Sequence, residues 1–598
     1  MWLIALKAIG GNVLVAVSAF GFGTWLSRFL PDSFSRFTRL VCTTIGGFGL
    51  LGLLLFIVGQ VSFHRTTIGI VLATGVTSAV ASKPWLWKFT VRIHKIPAAI
   101  VAAVLLLTAF GGLAEPVGDW GIDGVAYHYV GPKVWLREGI IRPIPDNAPT
   151  SYPSLVEVVF GALRAFGGER APVFSAVWTL AFFLAVAVVL GLRCGLSTRG
   201  AWWVAALTAT MGALYQGSHS GFVDAVYAAF ILAGIRIGFD ASEKKHFLAF
   251  GFFCGLAMAT KYPALVSLPA LVLCAAWRGK DWKKLQMISS ACIAIAAACV
   301  VAAPIYLRNW ILLGSPIYPP PAGAANFLHV KYYSAAGLKA FYAYSVWRGT
   351  GLGRGPLSFL LLPYNLTYHT SNFHGAGGIG LAPLAFGWLG ILASWREPFA
   401  RRLALIGFLL LLLWFVTIQE SRFLIPFYAI SAVFAVLGWE FVEPLMAKRG
   451  RMLCATAIAI SVAYGFTLMA KSRIADLRSV FSPVYAQQRR TSEIPYVESF
   501  DYMNHDPLVT RVLILDRSVP AYYSDRDYVK PFGQWGELLF IDASTSGDIL
   551  RRVDELHPSH ILDVQSEVSD FCVPPDYPGL VLVFDRPRQK IYKVTSRQ

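Results

Sequence analysis

The sequence predicts a polytopic α-helical membrane protein of roughly 12–14 helices, followed by a C-terminal external α/β domain. Three observations carry that reading. Of the 598 residues, 56% are hydrophobic and only 14% charged, with a mean hydropathy of +0.56; soluble chains carry about 25% charged residues. Apolar runs of span length recur from the N-terminus to about residue 470, separated by short basic loops. Beyond residue 475 the pattern changes to short apolar strands set among polar residues.

The apolar runs are 3–25, 39–62, 66–82, 97–115, 172–192, 201–217, 221–238, 247–260, 263–277, 285–305, 378–395, 403–418, 423–443 and 452–470. A span needs about 20 such residues. Two further stretches, 152–166 and 356–364, read as partial or re-entrant. The first run has no convincing small-residue cleavage site and reads as a retained anchor. In the tail, "RVLILD" (511–516) and "HILDV" (560–564) read as strands, "SGDILRRVDELH" (546–557) as a helix, and "LVLVFDRPRQKIYKV" (580–594) as a terminal hairpin.

The formal charge of +18 does not point to nucleic acid, because the Lys and Arg residues sit in short loops between apolar runs, where they set topology. "RFLPDSFSRFTR", "KPWLWKFTVRIHK", "RCGLSTR", "EKKH", "RGKDWKK", "REPFARR" and "KRGR" are such loops and are assigned to the cytoplasm. Seven of the eight cysteines lie in or beside apolar segments and none forms a CxxC pair; small buried hydrophobes are the reading they support. Cys572 is alone in the polar tail, so no disulfide forms within it.

One residue tests the topology. Lys261 lies in the middle of "GFFCGLAMATKYPALVSLPALVLCAAW", and an ammonium at mid-bilayer costs a few kcal/mol or more. The basic loops alternate without a break if 247–260 and 263–277 are two short helices meeting at "TKYP". Pro263 supports this, since the residue before a proline avoids α geometry. Lys261 then sits at the outer end of a hairpin. The same alternation sends 116–151, 306–355 and the tail to the outer face.

With that topology, ionisable residues from separate loops fall at one membrane boundary. Asp119 and Asp123 lie in the first outer loop, with His128 a helical turn after Asp123 if that segment is helical. His219 and Asp224 sit where one run emerges and the next enters; Lys261 and Tyr262 form the hairpin tip; Arg308 follows another emerging run; Glu420 and Arg422 occupy a further outer turn. Each has a plainer reading: Asp123 and Asp224 as helix caps, Asp119 as a solvated carboxylate, His128 as a structural partner of Asp123, His219 as a boundary residue, Lys261 snorkelling to headgroups, Arg308 as an anchor, Glu420 with Arg422 as a local ion pair. Their joint placement favours chemistry. Acids beside cations at a membrane surface suit group transfer from a lipid phosphate: a carboxylate takes the acceptor's proton, while Lys and Arg hold the phosphate as it departs.

Seven segments, "DGVAYHYVGPKVWLREG…YPSLVEVVFG", "GFVDAVYAAFILAG", "GLAMATKYPAL", "RNWILLGSPIYP", "LLPYNLTYHTSNFHGAGGIGLAPLAF", "ESRFLIPF" and "SVPAYYSDRDYV", resemble in order those of bacterial GT-C glycosyltransferases, in the branch of the protein O-mannosyltransferases and aminoarabinose transferases. The resemblance spans about residues 97 to 530. It implies a GT-C-like transmembrane catalytic core over 97–474 with outer loops 116–151 and 306–355, additional N-terminal helices over 1–96, and a periplasmic α/β domain over 475–598. It further implies a polyprenyl-phosphate sugar as donor, an inverting displacement, and a lipid, glycan or protein acceptor at the outer face of a bacterial inner membrane. By the same resemblance Asp123 matches the acidic base, although the family's Asp-Glu pair is reduced here to Asp123-Gly124 and Asp119 stands in reserve. Asp224 matches a second acidic position, Lys261 and Arg308 match basic positions suited to the donor phosphate, and Arg422 matches the Arg of an "RY-x-x-P"-like segment with Phe423 in place of tyrosine. The branch typically needs no divalent metal, and the spacing of Asp119 and Asp123 does not suggest a metal site, so no cofactor is expected.

Two other classes compete. A secondary transporter or lipid flippase would use membrane-boundary charges for substrate or proton coupling, but it predicts ionisable residues through the membrane depth and discontinuous helices at the midplane. A non-enzymatic scaffold would leave the grouped acids and bases unexplained.

Overall fold

Apolar runs in hydrocarbon satisfy their backbone polar groups only by bonding internally, and this chain does so as helices. The structure is a computed structural model, describing residues 2–83, 92–116, 123–144, 147–212, 214, 221–276, 284–321, 323, 327–333, 335, 337–339, 342, 350–374, 378–494, 496–515, 521–529, 545–551, 553–564, 572–574 and 577–595. Among the described residues eight helices are long and apolar enough to cross a membrane: Trp2–Thr24, Arg36–Gly59, Lys95–Leu113, Ala171–Arg193, Leu285–Leu313, Pro398–Val416, Ser421–Leu445 and Lys448–Phe481. Shorter apolar helices accompany them, including Arg65–Ala81, Asp224–Asp240 and Lys244–Thr260. The chain is a multi-span membrane protein.

Two compact units divide it. One comprises Met1–Ala114, Pro153–Pro304 and Gly349–Val480 and holds the apolar bundle; the other comprises Glu115–Tyr152, Ile305–Arg348 and Phe481–Gln598. In the bundle, the helix Asp224–Asp240 is buried on every side from Asp224 to Phe239, which makes it a central element. Small residues let neighbouring backbones approach: a side chain at Gly390 would overlap the Phe434 carbonyl, and one at Gly438 the Phe386 carbonyl, so Leu381–Ala393 and Ile425–Val442 meet face to face through these glycines. Stretch 152–166, read from sequence as partial or re-entrant, is a largely buried 13-residue helix, Leu155–Gly167, shorter than a membrane span.

Lys261 lies between helices. Lys244–Thr260 ends there, with Lys261 extended at φ −160° and ψ 139°, and the next helix begins at Pro263. Pro263 opposes a continuous helix here, because its ring would meet the Ala259 carbonyl and it disfavours α geometry at Tyr262.

At the C-terminal end of the central helix the structure holds a charge network that the sequence did not signal. Arg193 pairs with Asp240 at 3.1 Å and Glu397 at 3.0 Å, and the buried Arg236 pairs with Asp240 from one turn away. Arg236 also lies 4.2 Å from the Phe34 ring centroid. Every charge there has an opposite partner, and the network ties the central helix to its neighbours.

In the second unit, five strands order as β2-β1-β3-β5-β4, with β1 (Arg511–Ile514), β2 (Asp527–Val529), β3 (His560–Val564), β4 (Leu580–Arg586) and β5 (Gln589–Val594). β1 pairs parallel with β2 and β3, and β5 antiparallel with β3 and β4. The β4–β5 hairpin and the strands at 511 and 560 match the sequence reading. β2 went unread because three residues cannot show alternation. The helix expected over 546–557 is two short pieces, Ser546–Leu550 and Val553–Leu556. An apolar cluster of this unit gathers Ala148, Leu313, Tyr318, Tyr333 and Leu338 from the two loop segments.

Candidate functional site

In the second unit, Asp123 opens a π-helical turn, Gly124–His128, closed by the Tyr129 N–H donating to the Gly124 carbonyl at 2.8 Å. Single π turns occur often at functional sites. Asp123 is 7% exposed, and the Tyr127 hydroxyl donates to its Oδ2 at 3.3 Å. The sequence puts His128 about a helical turn after Asp123 as a candidate partner; the structure also gives that carboxylate Tyr127, four residues on. His128 is buried beside it, its ring centroid 4.0 Å from that of Tyr127. Tyr152 faces Tyr127 edge-on at 6.0 Å.

Arg308 belongs to the same unit. It is 5% exposed, near the end of the helix Lys284–Leu313. Its Nη2 donates to the Ser151 carbonyl at 3.4 Å and its Nε to the Asn309 Oδ1 at 3.0 Å, while Asn309 Nδ2 donates to the Ser151 carbonyl at 2.8 Å. Ser151 adjoins Tyr152, so the proposed base and this guanidinium are joined through Tyr127, Tyr152 and the Ser151 peptide. Asn309 and Tyr127 escaped the sequence reading. Their signal was position alone: Asn309 follows Arg308 directly, and Tyr127 lies four residues after Asp123.

In the bundle unit, Asp224 begins the central helix and is fully buried. Lys261 reaches it across 37 residues of sequence, Nζ to Oδ1 at 2.5 Å. Among the described residues the other oxygen, Oδ2, has no hydrogen-bond partner. The Lys261 ammonium also lies 4.7 Å from the Phe423 ring centroid, and its side chain retains 14% exposure. Tyr262, half-buried, follows it in the break between helices. Arg422 stands on the short 3₁₀ turn Ser421–Leu424, paired with Glu420 and lying 5.2 Å and 5.3 Å from the Phe222 and Phe423 rings. Trp414 Nε1 fixes the turn by donating to the Glu420 carbonyl at 2.7 Å.

The structure therefore brings Asp224, Lys261, Glu420 and Arg422 into one unit, with the Phe423 ring shared by both cations, and Asp123, His128 and Arg308 into the other. Asp119 and His219 lie outside the described residues. Two of the cations read as phosphate ligands already carry carboxylate partners, so any anion they take must compete with Asp224 or Glu420.

This helical bundle with its small sheet has a GT-C glycosyltransferase fold. It is similar to the crystal structures of ArnT from Cupriavidus metallidurans, both in complex with undecaprenyl phosphate (TM-score 0.52, 13% identity) and in the apo state (TM-score 0.52, 14% identity), each match covering 84% of this chain and 99% of ArnT. The cryo-EM structure of the mycobacterial arabinofuranosyltransferase AftD gives a TM-score of 0.49 at 12% identity, over 85% of this chain and 40% of AftD. No protein-family model and no curated protein matches the sequence.

Proposed function

We propose that the protein is a membrane glycosyltransferase that moves a sugar from a polyprenyl-phosphate donor to a lipid, glycan or protein acceptor, at the outer face of a bacterial cell membrane. The observation that carries the reading is a cation set in a helix break: Lys261, between two apolar helices and held by a buried carboxylate, in a fold shared with an ArnT solved with undecaprenyl phosphate bound. Lysine in such a place is a functional residue by default.

The chemistry follows from the groups present. Asp123 takes the proton of an acceptor hydroxyl or amine; the resulting nucleophile attacks the anomeric carbon from the side opposite the phosphate; the C–O bond to phosphate breaks, and polyprenyl phosphate leaves with the bonding pair. A single displacement of this kind inverts the anomeric centre. Lys261 and Arg422, which share one unit, hold the phosphate and offset the charge growing on it. Asp224 governs how much of the Lys261 charge the phosphate meets. The hydrogen bond from Tyr127 fixes the direction of the base.

The step needs no divalent metal, because Lys261 and Arg422 share the phosphate charge; transfer unaffected by EDTA is the expected outcome. The decisive test is Asp123→Asn, which removes the base and keeps its shape. Release of polyprenyl phosphate from labelled lipid-linked sugar should fall by at least about a hundredfold, with undecaprenyl phosphate binding and folding unchanged. Full activity in that variant refutes the assignment.

A further inference from the structure

We propose that the C-terminal domain is part of the catalytic apparatus: its segment 522–528 latches the loop that carries Asp123, with Lys133 and Asn147 as the positioning residues. The proposal rests on the reading of Asp123 as base, and it concerns contacts inside the second unit alone.

The loop has little to hold itself. After the π turn it forms one nine-residue helix, Val130–Glu138, and isolated helices shorter than about 12–15 residues are marginal in water. Its geometry therefore depends on what it touches. Lys133 Nζ donates to the Tyr522 carbonyl at 2.8 Å and the Ser524 carbonyl at 2.9 Å, and lies 2.6 Å from Asp525 Oδ1. An ammonium has three protons, and these three oxygens account for them. Asn147 Nδ2 bridges the Ala126 carbonyl, inside the π turn, at 2.7 Å and the Tyr528 hydroxyl at 3.2 Å. Tyr523 donates to the Pro116 carbonyl at 2.6 Å, at the start of the loop. Tyr129, which closes the π turn, meets the Tyr522 ring at 5.9 Å. The turn bearing Asp123 is thus held within and after, and the loop is tied at its start as well.

The latch is itself rigid. Asp527, Tyr528 and Val529 form β2, in register with β1. The Arg526 guanidinium donates to the carbonyls of Met503, Asn504 and Asp506, and Asn504 donates to the Tyr523 carbonyl at 2.9 Å. Not every contact counts equally. Arg137 pairs with Asp527 at 2.5 Å, but both are substantially exposed, at 39% and 67%, and such pairs contribute little. Lys133 is 15% exposed and satisfied by two backbone carbonyls, which places the restraint there and on the buried Asn147.

A displacement of about 1 Å at a reacting group costs on the order of a hundredfold in rate. In the full chain in lipid nanodiscs, Lys133→Met should raise hydrogen exchange of the amides of 124–138 at least about tenfold, with that of 425–442 unchanged. The rate of polyprenyl phosphate release at saturating donor should fall about 10–100-fold, with the Kd for undecaprenyl phosphate within about twofold of wild type. Lys133→Arg should recover most of both losses, because it restores the charge and the donors. Tyr528→Phe, which removes only a hydroxyl, provides a second and milder variant should Lys133→Met fold poorly; it should shift exchange at 124–128 and the saturated rate in the same direction. Unchanged exchange overturns the latch, and raised exchange with an unchanged saturated rate overturns its positioning role. An active Asp123→Asn variant would instead sink the base assignment, leaving the exchange measurement to decide the latch on its own.

Discussion

Asp224→Asn should tighten the binding of undecaprenyl phosphate. Asp224 is fully buried and holds Lys261 at 2.5 Å, so a lipid phosphate reaching Lys261 meets an ammonium already neutralised and a carboxylate that repels it. Two unit charges about 4 Å apart interact by about 4 kcal/mol at the effective dielectric of ~20 typical near protein surfaces. Partial exposure of Lys261 and the greater distance from carboxylate to phosphate reduce the repulsion to roughly 1–2 kcal/mol, which corresponds to about 5–30-fold in Kd. Removing one partner of a buried pair costs about 3–5 kcal/mol of stability, and the solvent access of Lys261 lowers that figure here. Isothermal calorimetry in detergent, with undecaprenyl phosphate as titrant, measures the affinity; a melting curve confirms the fold. Lys261→Met should move affinity the other way, and the effects of the two substitutions should not add, since neighbouring residues couple non-additively. Raising the salt should shrink the gain. Unchanged or weaker binding in a folded Asp224→Asn protein refutes the reasoning.

The remaining predictions concern other parts of the chain. Burial raises the Asp563 carboxyl to about 6 from its ordinary 3.8, against the Val573 N–H that donates to it at 2.8 Å. A raised folded-state value means its contribution to stability is full below about 3.8 and lost as pH rises through 6, a difference of about 3 kcal/mol. Asp563→Asn, whose Oδ1 keeps the Val573 bond, should melt several degrees higher than wild type at pH 7.5, and the gap should close near pH 4. His560, held below its ordinary value by burial, loses stability as pH falls and so opposes Asp563, but it is common to both proteins and cancels in the difference. A gap that widens toward acid pH contradicts the assignment. Gly438→Leu should force apart the helices that meet at Gly390 and Gly438, lowering the melting temperature by about 5 °C or more, with Gly387→Leu, where no atom lies within 4 Å of the added carbon, as the neutral control. Glu420→Gln should tighten undecaprenyl phosphate binding as Asp224→Asn does, by releasing Arg422; equal affinity would remove Arg422 from the phosphate's contacts.

The break at Lys261 was legible because it is local: a lysine and a proline two residues apart in an otherwise apolar run leave few alternatives. Strands 511–514 and 560–564 were legible as short runs of β-branched and aliphatic residues between polar ones. What the sequence hid is the pairing between distant segments. Nothing near Lys261 names Asp224 as its partner, and nothing near Lys133 names a tyrosine carbonyl 389 positions further on. The π turn was hidden for a different reason: one additional residue in a helical turn changes neither composition nor periodicity. The network of Arg193, Arg236, Asp240 and Glu397 is likewise assembled from separate segments, and only Asp240 lies one turn from its partner Arg236 in sequence.

On the proposed function, the pairing of Lys261 and Arg422 with carboxylates resolves a conflict between folding and binding. A cation aimed at a lipid phosphate must stand at an apolar boundary, and an unpartnered ammonium there is costly whenever no lipid is bound. Asp224 removes that cost by supplying the countercharge from inside the bundle, at the N-terminus of a fully buried helix, where the helix dipole further favours a carboxylate. The arriving phosphate then replaces a partner instead of neutralising a bare charge, so binding gains only the difference between two ion pairs. A modest difference suits a site whose phosphate product has to leave again. On this argument wild-type affinity is a compromise, and the Asp224→Asn protein, though it binds more tightly, should release polyprenyl phosphate more slowly and turn over less often.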